Sequence, residues 1–125
     1  MTRDELDCLA ERIIGLALNV HRGLGPGLLE SLYEGALCVE LELAGLRFEC
    51  QKPLPISYKG CVIGDFRLDL VVEKAVLLEI KSVERHEPVF EAQVLSYLKI
   101  SGLRLGYLIN FNTRLLKDGI KRLIL

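Results

Sequence analysis

The first part of the chain carries two helical patterns of apolar residues. Thr2 and Glu5 have the spacing of a capping box, which closes the first turn of a helix. Apolar residues then recur every three or four positions as far as Gly23, where this helix is expected to end. After a glycine-rich link, a second helix is predicted to end at Gly45. Its predicted buried stripe consists of Leu29, Leu32, Ala36, Leu37, Leu41 and Ala44.

After Gly45 the apolar pattern changes from the helical period to alternation. The alternation predicts short strands at about 47–52, 54–59, 61–72 and 76–81, with turns at 59–60 and 73–75. Pro88 suits the first turn of a third helix, which is expected to run through Ser101. A buried strand from Leu105 to Phe111 and a last strand after the Asp118-Gly119 turn complete the prediction.

These elements predict a mixed α/β fold, in which a single sheet is flanked by helices. Half of the residues are hydrophobic and 26% are charged, which is typical of one globular domain over residues 1–125. No apolar run approaches the ~20 residues of a membrane span, and the polar N-terminus does not resemble a signal peptide. We therefore expect a cytoplasmic protein without a membrane segment.

The cysteine and histidine content excludes several classes of site. No two of the four cysteines form a C-x-x-C pair, so we expect free thiols, buried or half-buried, and no zinc knuckle. Only two histidines are present, and no serine lies in a G-x-S-x-G motif. A Ser-His-Asp hydrolase or a histidine-rich metal site is therefore not expected.

Charge is unevenly distributed along the chain. Residues 1–50 carry four basic and nine acidic side chains, whereas residues 99–125 carry six basic side chains and one acid. The basic C-terminal quarter could contact phosphates. The charge pattern alone favours the alternative, in which this quarter balances the acidic first half in space.

The predicted hairpin around Lys74 places two acids opposite each other. Phe66, Leu68, Leu70 and Val72 are expected to share one apolar face, and Asp69 and Glu79 to lie on the other. Directly opposed Cβ atoms are only ~4.5–5.5 Å apart, so the two like charges should destabilise the hairpin. A divalent cation would relieve this repulsion, with Lys81 beside it. The same pattern also allows a charged face that simply points to solvent.

Four segments of the chain resemble a known family. Asp69 followed by Glu79-Ile80-Lys81 resembles the D…(D/E)-x-K signature of the PD-(D/E)XK nuclease superfamily. Residues 27–33 (GLLESLY) resemble the motif of the GxxExxY proteins, a small family in that superfamily. Residues 91–98 and 106–111 are similar to later blocks of the same family. The resemblance covers nearly the whole chain.

This resemblance implies a restriction-endonuclease-like αβββαβ core with an extra N-terminal helix. It implies hydrolysis of DNA or RNA that depends on Mg²⁺ or Mn²⁺, with Asp69 and Glu79 as metal ligands and Lys81 positioning the attacking water. Glu30 would add a third metal ligand, and Gln93 would line the site. Glu30 could instead only complement a helix dipole, and Gln93 could be an ordinary exposed residue.

Two functional interpretations follow from the sequence. The first is a metal-dependent nuclease that binds nucleic acid and acts as a homodimer or with a partner protein. The second is an interaction module that has the nuclease fold without the chemistry. High apolar content and the edge strands of a short sheet also predict self-association.

Overall fold

A computed structural model describes all 125 residues and confirms the predicted fold class. Five strands form one mixed sheet in the order β1-β2-β3-β4-β5. All neighbouring strands are antiparallel except β3 and β4, which are parallel and are connected through α3. The elements are α1 (Arg3–Leu24), α2 (Glu30–Leu43), β1 (Phe48–Tyr58), β2 (Cys61–Val72), β3 (Val76–Lys81), α3 (Pro88–Ser101), β4 (Leu105–Asn110), a 3-10 helix (Leu116–Gly119) and β5 (Ile120–Ile124).

The sheet separates two hydrophobic clusters. The larger cluster packs α1 and α2 against one face through residues such as Ile13, Leu37 and Leu78. The smaller cluster packs α3 against the other face through Val94, Leu98 and their neighbours. The sheet is therefore covered by helices on both sides. None of these helices combines the length and the apolar character of a membrane span.

The predicted start of α1 is confirmed, and its end lies slightly further along the chain. The amide of Glu5 donates to the Thr2 hydroxyl at 3.1 Å, and the Thr2 amide donates to the Glu5 carboxylate at 3.4 Å. The helix continues past Gly23 to Leu24, because Gly25 is the residue with a positive φ (70°) that ends it.

The predicted buried stripe of α2 is partly wrong. The buried residues are Tyr33, Leu37 and Leu41, whereas Leu29 and Leu32 are 73% and 52% exposed. Tyr33 stacks on Phe111 with 4.5 Å between the ring centroids. This tyrosine therefore occupies the core position that the pattern assigned to leucine.

The first two predicted strands are one continuous strand, β1. Pro53 and Pro55 do not interrupt it, because β1 is an edge strand that pairs only with β2. The register between β1 and β2 shifts between Ile56 and Ser57. A second irregularity lies at Gln51, which has no partner in the register and whose φ of 52° is in the left-handed region. The predicted final strand is present as β5.

The prediction that four apolar residues of β2 share one face is wrong. Phe66 and Leu68 pack with α3, whereas Leu70 and Val72 pack with α1 and α2. The change of face occurs at Asp69, next to the irregular Gln51 of β1. The prediction of buried or half-buried thiols is also wrong for three of the four free cysteines, since Cys38 alone is half-buried.

Candidate functional site

The site is built where β2 and β3 separate. The two strands pair only through Val72–Val76, Val71–Leu77 and Leu70–Leu78, so the hairpin centres on Lys74 as predicted. Beyond these pairs β2 continues beside β1, and β3 continues beside β4. Asp69 and Glu79 are the first residues past the last pair, and they flank the resulting fork.

The two carboxylates accept hydrogen bonds from backbone amides that this separation leaves without a strand partner. The amide of Ile80 donates to Asp69 Oδ2 at 2.8 Å, and the amide of Asp69 donates to Glu79 Oε1 at 3.3 Å. Each acid therefore satisfies a backbone donor on the opposite strand, which buried amides require. Both carboxylates are held at the fork by the backbone.

Glu79 is the only charged side chain that is buried in the protein, with 6% exposure. Burial raises its pKa from 4.5 to about 8, and the negative charge of Asp69 adds to this effect. The hydrogen bond from the Asp69 amide and the positive charge of Lys81 oppose the increase, and the charge of Glu30 contributes to it. The fork is thus an acidic site with too little nearby positive charge.

Glu30 lies at the start of α2 and reaches the end of β3. Its Oε1 atom accepts a hydrogen bond from the Ser82 amide at 3.4 Å. Ser82 also donates from its hydroxyl to the carbonyl of Leu28 at 2.5 Å. These contacts bring the first turn of α2 beside the fork, where a pocket of about 180 Å³ is lined by Glu30, Ser31, Glu34, Gln51, Asp69 and Ile80.

Tyr33 holds the loop that precedes Glu30. Its hydroxyl donates to the carbonyl of Gly25 at 2.6 Å and accepts from the amide of Leu28 at 3.1 Å. The ring is fully buried against Phe111. Tyr33 is therefore a packing residue that also fixes the loop leading into α2. The amide of Leu28 already donates its hydrogen bond to the Tyr33 hydroxyl.

Lys81 lies two residues after Glu79, on the same face of β3. Its ammonium group is 4.4 Å from the centre of the Phe90 ring, which is a cation–π distance. No carboxylate oxygen lies within 4.0 Å of it. The ammonium is therefore held by α3 near the fork without being neutralised by an ion pair.

Gln93 lies on the side of α3 that carries Phe90 and Tyr97. These three residues are spaced by three and four positions, so they follow one helix face. Phe90 contacts Lys81, and burial raises the pKa of Tyr97, with further contributions from the charges of Glu79 and Asp69. The Gln93 side chain is exposed and makes no hydrogen bond within the protein.

Two residues at the site were not identified from the sequence. Gln51 donates through Nε2 to Glu34 Oε1 at 2.7 Å and to Asp69 Oδ1 at 3.4 Å. Asn110 holds the loop after Lys81, since it accepts from the Val83 amide at 3.1 Å and donates to the Val83 carbonyl at 3.0 Å. The role of Gln51 depends on its left-handed backbone, which no local pattern signals. Asn110 ends β4 directly opposite Lys81, which only the strand register reveals.

The carboxylate oxygens are suitable ligand atoms for a hard divalent cation, although in this conformation the side chains do not surround an ion. No group of three or more His, Cys, Asp or Glu side chains is arranged to hold a metal ion. Glu30 and Asp69 share a pocket, and Glu79 lies next to Asp69 on the opposite strand. All of these groups offer oxygen, the ligand that Mg²⁺ and Mn²⁺ prefer.

Comparison with known proteins is consistent with this geometry. A family model of the PD-(D/E)XK nuclease superfamily matches residues 7–123, which include both strands of the fork and the helices beside it. No curated protein and no solved structure gives a significant match. Because the family model covers nearly the whole sequence, the chain belongs to the PD-(D/E)XK nuclease superfamily.

Proposed function

We propose that this protein is a divalent-metal-dependent nuclease that hydrolyses phosphodiester bonds of DNA or RNA at the fork between β2 and β3. The observation that carries the proposal is the pair of carboxylates, Asp69 and Glu79, held on opposite strands by backbone amides. Membership of the superfamily supports the same activity. We also propose that the chain belongs to the GxxExxY proteins, on the motif at residues 27–33.

Asp69 and Glu79 are the proposed metal ligands, and Glu30 is the proposed third. The raised pKa of Glu79 supports this assignment, because the positive charge of Lys81 offsets only part of the cost of burying Glu79 beside Asp69. A Mg²⁺ or Mn²⁺ ion held there would act as a Lewis acid on the scissile phosphate. The carboxylates would then be balanced in charge, and the cost of placing them together would be offset by ion binding.

Lys81 is the proposed residue that orients the attacking water and stabilises charge on the phosphate. Its ammonium has no carboxylate partner, so its donors remain available to substrate. Contact with Phe90 limits where the ammonium can move. Gln93, on the same helix face as Phe90, is the proposed side chain that lines the substrate path. Its amide is exposed and can donate and accept hydrogen bonds.

We further propose that the protein acts in the cytoplasm, as a homodimer or with a partner protein. The four cysteines are free thiols, which is typical of a reducing compartment. β1 and β5 are the two edges of the sheet and offer unpaired backbone groups to another chain. Light scattering over a range of protein concentrations measures the mass directly, and a constant monomer mass would exclude the homodimer.

The activity is tested by incubating purified protein with plasmid DNA, single-stranded DNA and RNA. Each substrate is presented with Mg²⁺, with Mn²⁺ and with EDTA. We expect cleavage of at least one substrate with a metal ion and none with EDTA. Absence of cleavage on all substrates, together with nucleic-acid or protein binding, would instead support the interaction module.

A further inference from the structure

A second polar pocket lies beside Lys81, on the α3 face of the sheet. It has a volume of about 40 Å³ and is bounded by the end of β3, the start of α3 and the connection between β4 and β5. Its charged and polar lining consists of Lys81, His86, Asn110, Asp118 and Lys121. The space admits about three water molecules, which is enough for the two non-bridging oxygens of one phosphodiester.

Lys121 joins this pocket to the carboxylate site through the strand register. Glu79 pairs with Leu108 of β4, and Leu108 pairs with Lys121 of β5. Residues in register across neighbouring strands point to the same face, so Glu79 and Lys121 lie on the α3 side. Two strand spacings separate their backbones, which is about 10 Å.

The basic residues near this pocket are not neutralised by the rest of the protein. Of the six basic side chains in residues 99–125, only Arg122 forms an ion pair, with Asp7 of α1 at 2.7 Å. The balance expected between the C-terminal quarter and the acidic first half is thus realised by one ion pair. Lys121 and Lys81 have no ion-pair partner, and Asp118 is the only acid that lines the pocket.

We propose that this pocket binds a backbone phosphate next to the scissile phosphate on the same nucleic-acid strand, with Lys121 as its principal binding residue. The proposal rests on the proposed nuclease function. A strand that places one phosphate beside Asp69 and Glu79 can continue across the α3 face toward β5. Lys121 would then hold the strand in register, and Lys81 would stand between the two phosphate positions.

The test compares Lys121→Gln with Lys99→Gln, which removes the same charge from the last turn of α3. Lys121 and Lys99 are both exposed, so both variants should fold. Binding of a short labelled single-stranded DNA, and of RNA with the same sequence, is measured in EDTA at several salt concentrations. We expect Lys121→Gln to weaken binding about fivefold and to reduce the salt slope by about 0.7. Lys99→Gln should match wild type, and Lys121→Arg should restore binding.

The outcomes separate this pocket from the proposed activity. Equal effects of Lys121→Gln and Lys99→Gln, or no binding by wild type, would overturn the phosphate pocket. Metal-dependent cleavage at the same rate by Lys121→Gln and wild type would also overturn the phosphate pocket while leaving the nuclease proposal intact. Binding that depends on Lys121, in a protein that cleaves nothing, would support the pocket and reject the nuclease.

Discussion

The amide of Asp69 donates to the carboxylate of Glu79 across the fork, at 3.3 Å. Together with the bond from the Ile80 amide to the Asp69 carboxylate, this bond ties each acid to the backbone of the opposite strand. It also places a buried acid next to a second negative charge, which is unfavourable unless a proton or a cation is present.

Divalent metal ions should stabilise the folded protein. At a free ion concentration about 100 times the dissociation constant, the gain in free energy of unfolding should be about 2.7 kcal/mol. Asp69→Asn and Glu79→Gln should abolish the metal-induced rise in melting temperature, because each removes a proposed ligand. Asp65→Asn is the matched control, since Asp65 is an exposed acid on the same strand. A rise that persists in both fork variants would show that the ion binds elsewhere.

The metal-free protein should lose stability as pH rises from 4.5 toward 8, the ordinary and the folded pKa of Glu79. In this window the folded state binds a proton that the unfolded state has released. The contribution of Glu79 to the free energy of unfolding therefore falls, by at most about 1.4 kcal/mol per pH unit. Glu79→Gln should flatten this dependence in urea titrations with EDTA. Parallel pH profiles for the two proteins would contradict the assigned burial.

Lys81→Ala should separate metal binding from catalysis. The variant lacks a cation that repels the metal ion, so the metal-induced shift in melting temperature should be retained or increased. Cleavage should fall by about 10²–10³-fold, because the donor to the attacking water or phosphate is lost. A variant with unchanged cleavage would remove Lys81 from the proposed mechanism.

Two glycine substitutions test the support of the site. Gly119→Ala should be strongly destabilising, since its Cβ would overlap the backbone carbonyl of Asn110, the residue that holds the loop after Lys81. Gly15→Ala is the control, because its Cβ meets nothing within 4 Å in α1. It should stabilise the protein by about 1 kcal/mol through helix propensity. Chemical unfolding of both variants measures these changes, and equal stabilities would contradict the described loop.

Tyr33→Phe should test the entry to α2 without changing the packed ring. The substitution leaves the amide of Leu28 and the carbonyl of Gly25 without their hydroxyl partner. The loss should be about 1–3 kcal/mol in free energy of unfolding. An unchanged urea midpoint would indicate that water replaces the hydroxyl at no cost.

The sequence predicted the hairpin well because its signals are local. Alternation along β2 and β3 and the turn at residues 73–75 centre the pairing on Lys74, as the structure shows. The same local reasoning could not detect the change of face at Asp69. That change accompanies the left-handed backbone of Gln51 in the neighbouring strand, and residue preferences do not predict this conformation.

The environment of Glu79 was also beyond local patterns. The alternation along β3 predicts the face of the sheet on which Glu79 lies, but not which element covers that face. Glu79 is buried by α3, which connects β3 to β4 on that side of the sheet. The stripe of α2 was misassigned for a similar reason. Apolar spacing placed Leu29 and Leu32 in the core, whereas tertiary packing selects Tyr33, which stacks on Phe111, the residue that follows β4.

The most direct test of the proposed function is the cleavage rate of Glu79→Gln beside that of wild type and Asp65→Asn. The three proteins are incubated with the best-cleaved substrate in Mn²⁺, and folding is verified by their melting temperatures. We predict that wild type and Asp65→Asn cleave at similar rates and that Glu79→Gln, although folded, does not cleave above the EDTA background. Cleavage by Glu79→Gln at the wild-type rate would contradict a reaction centre at this fork.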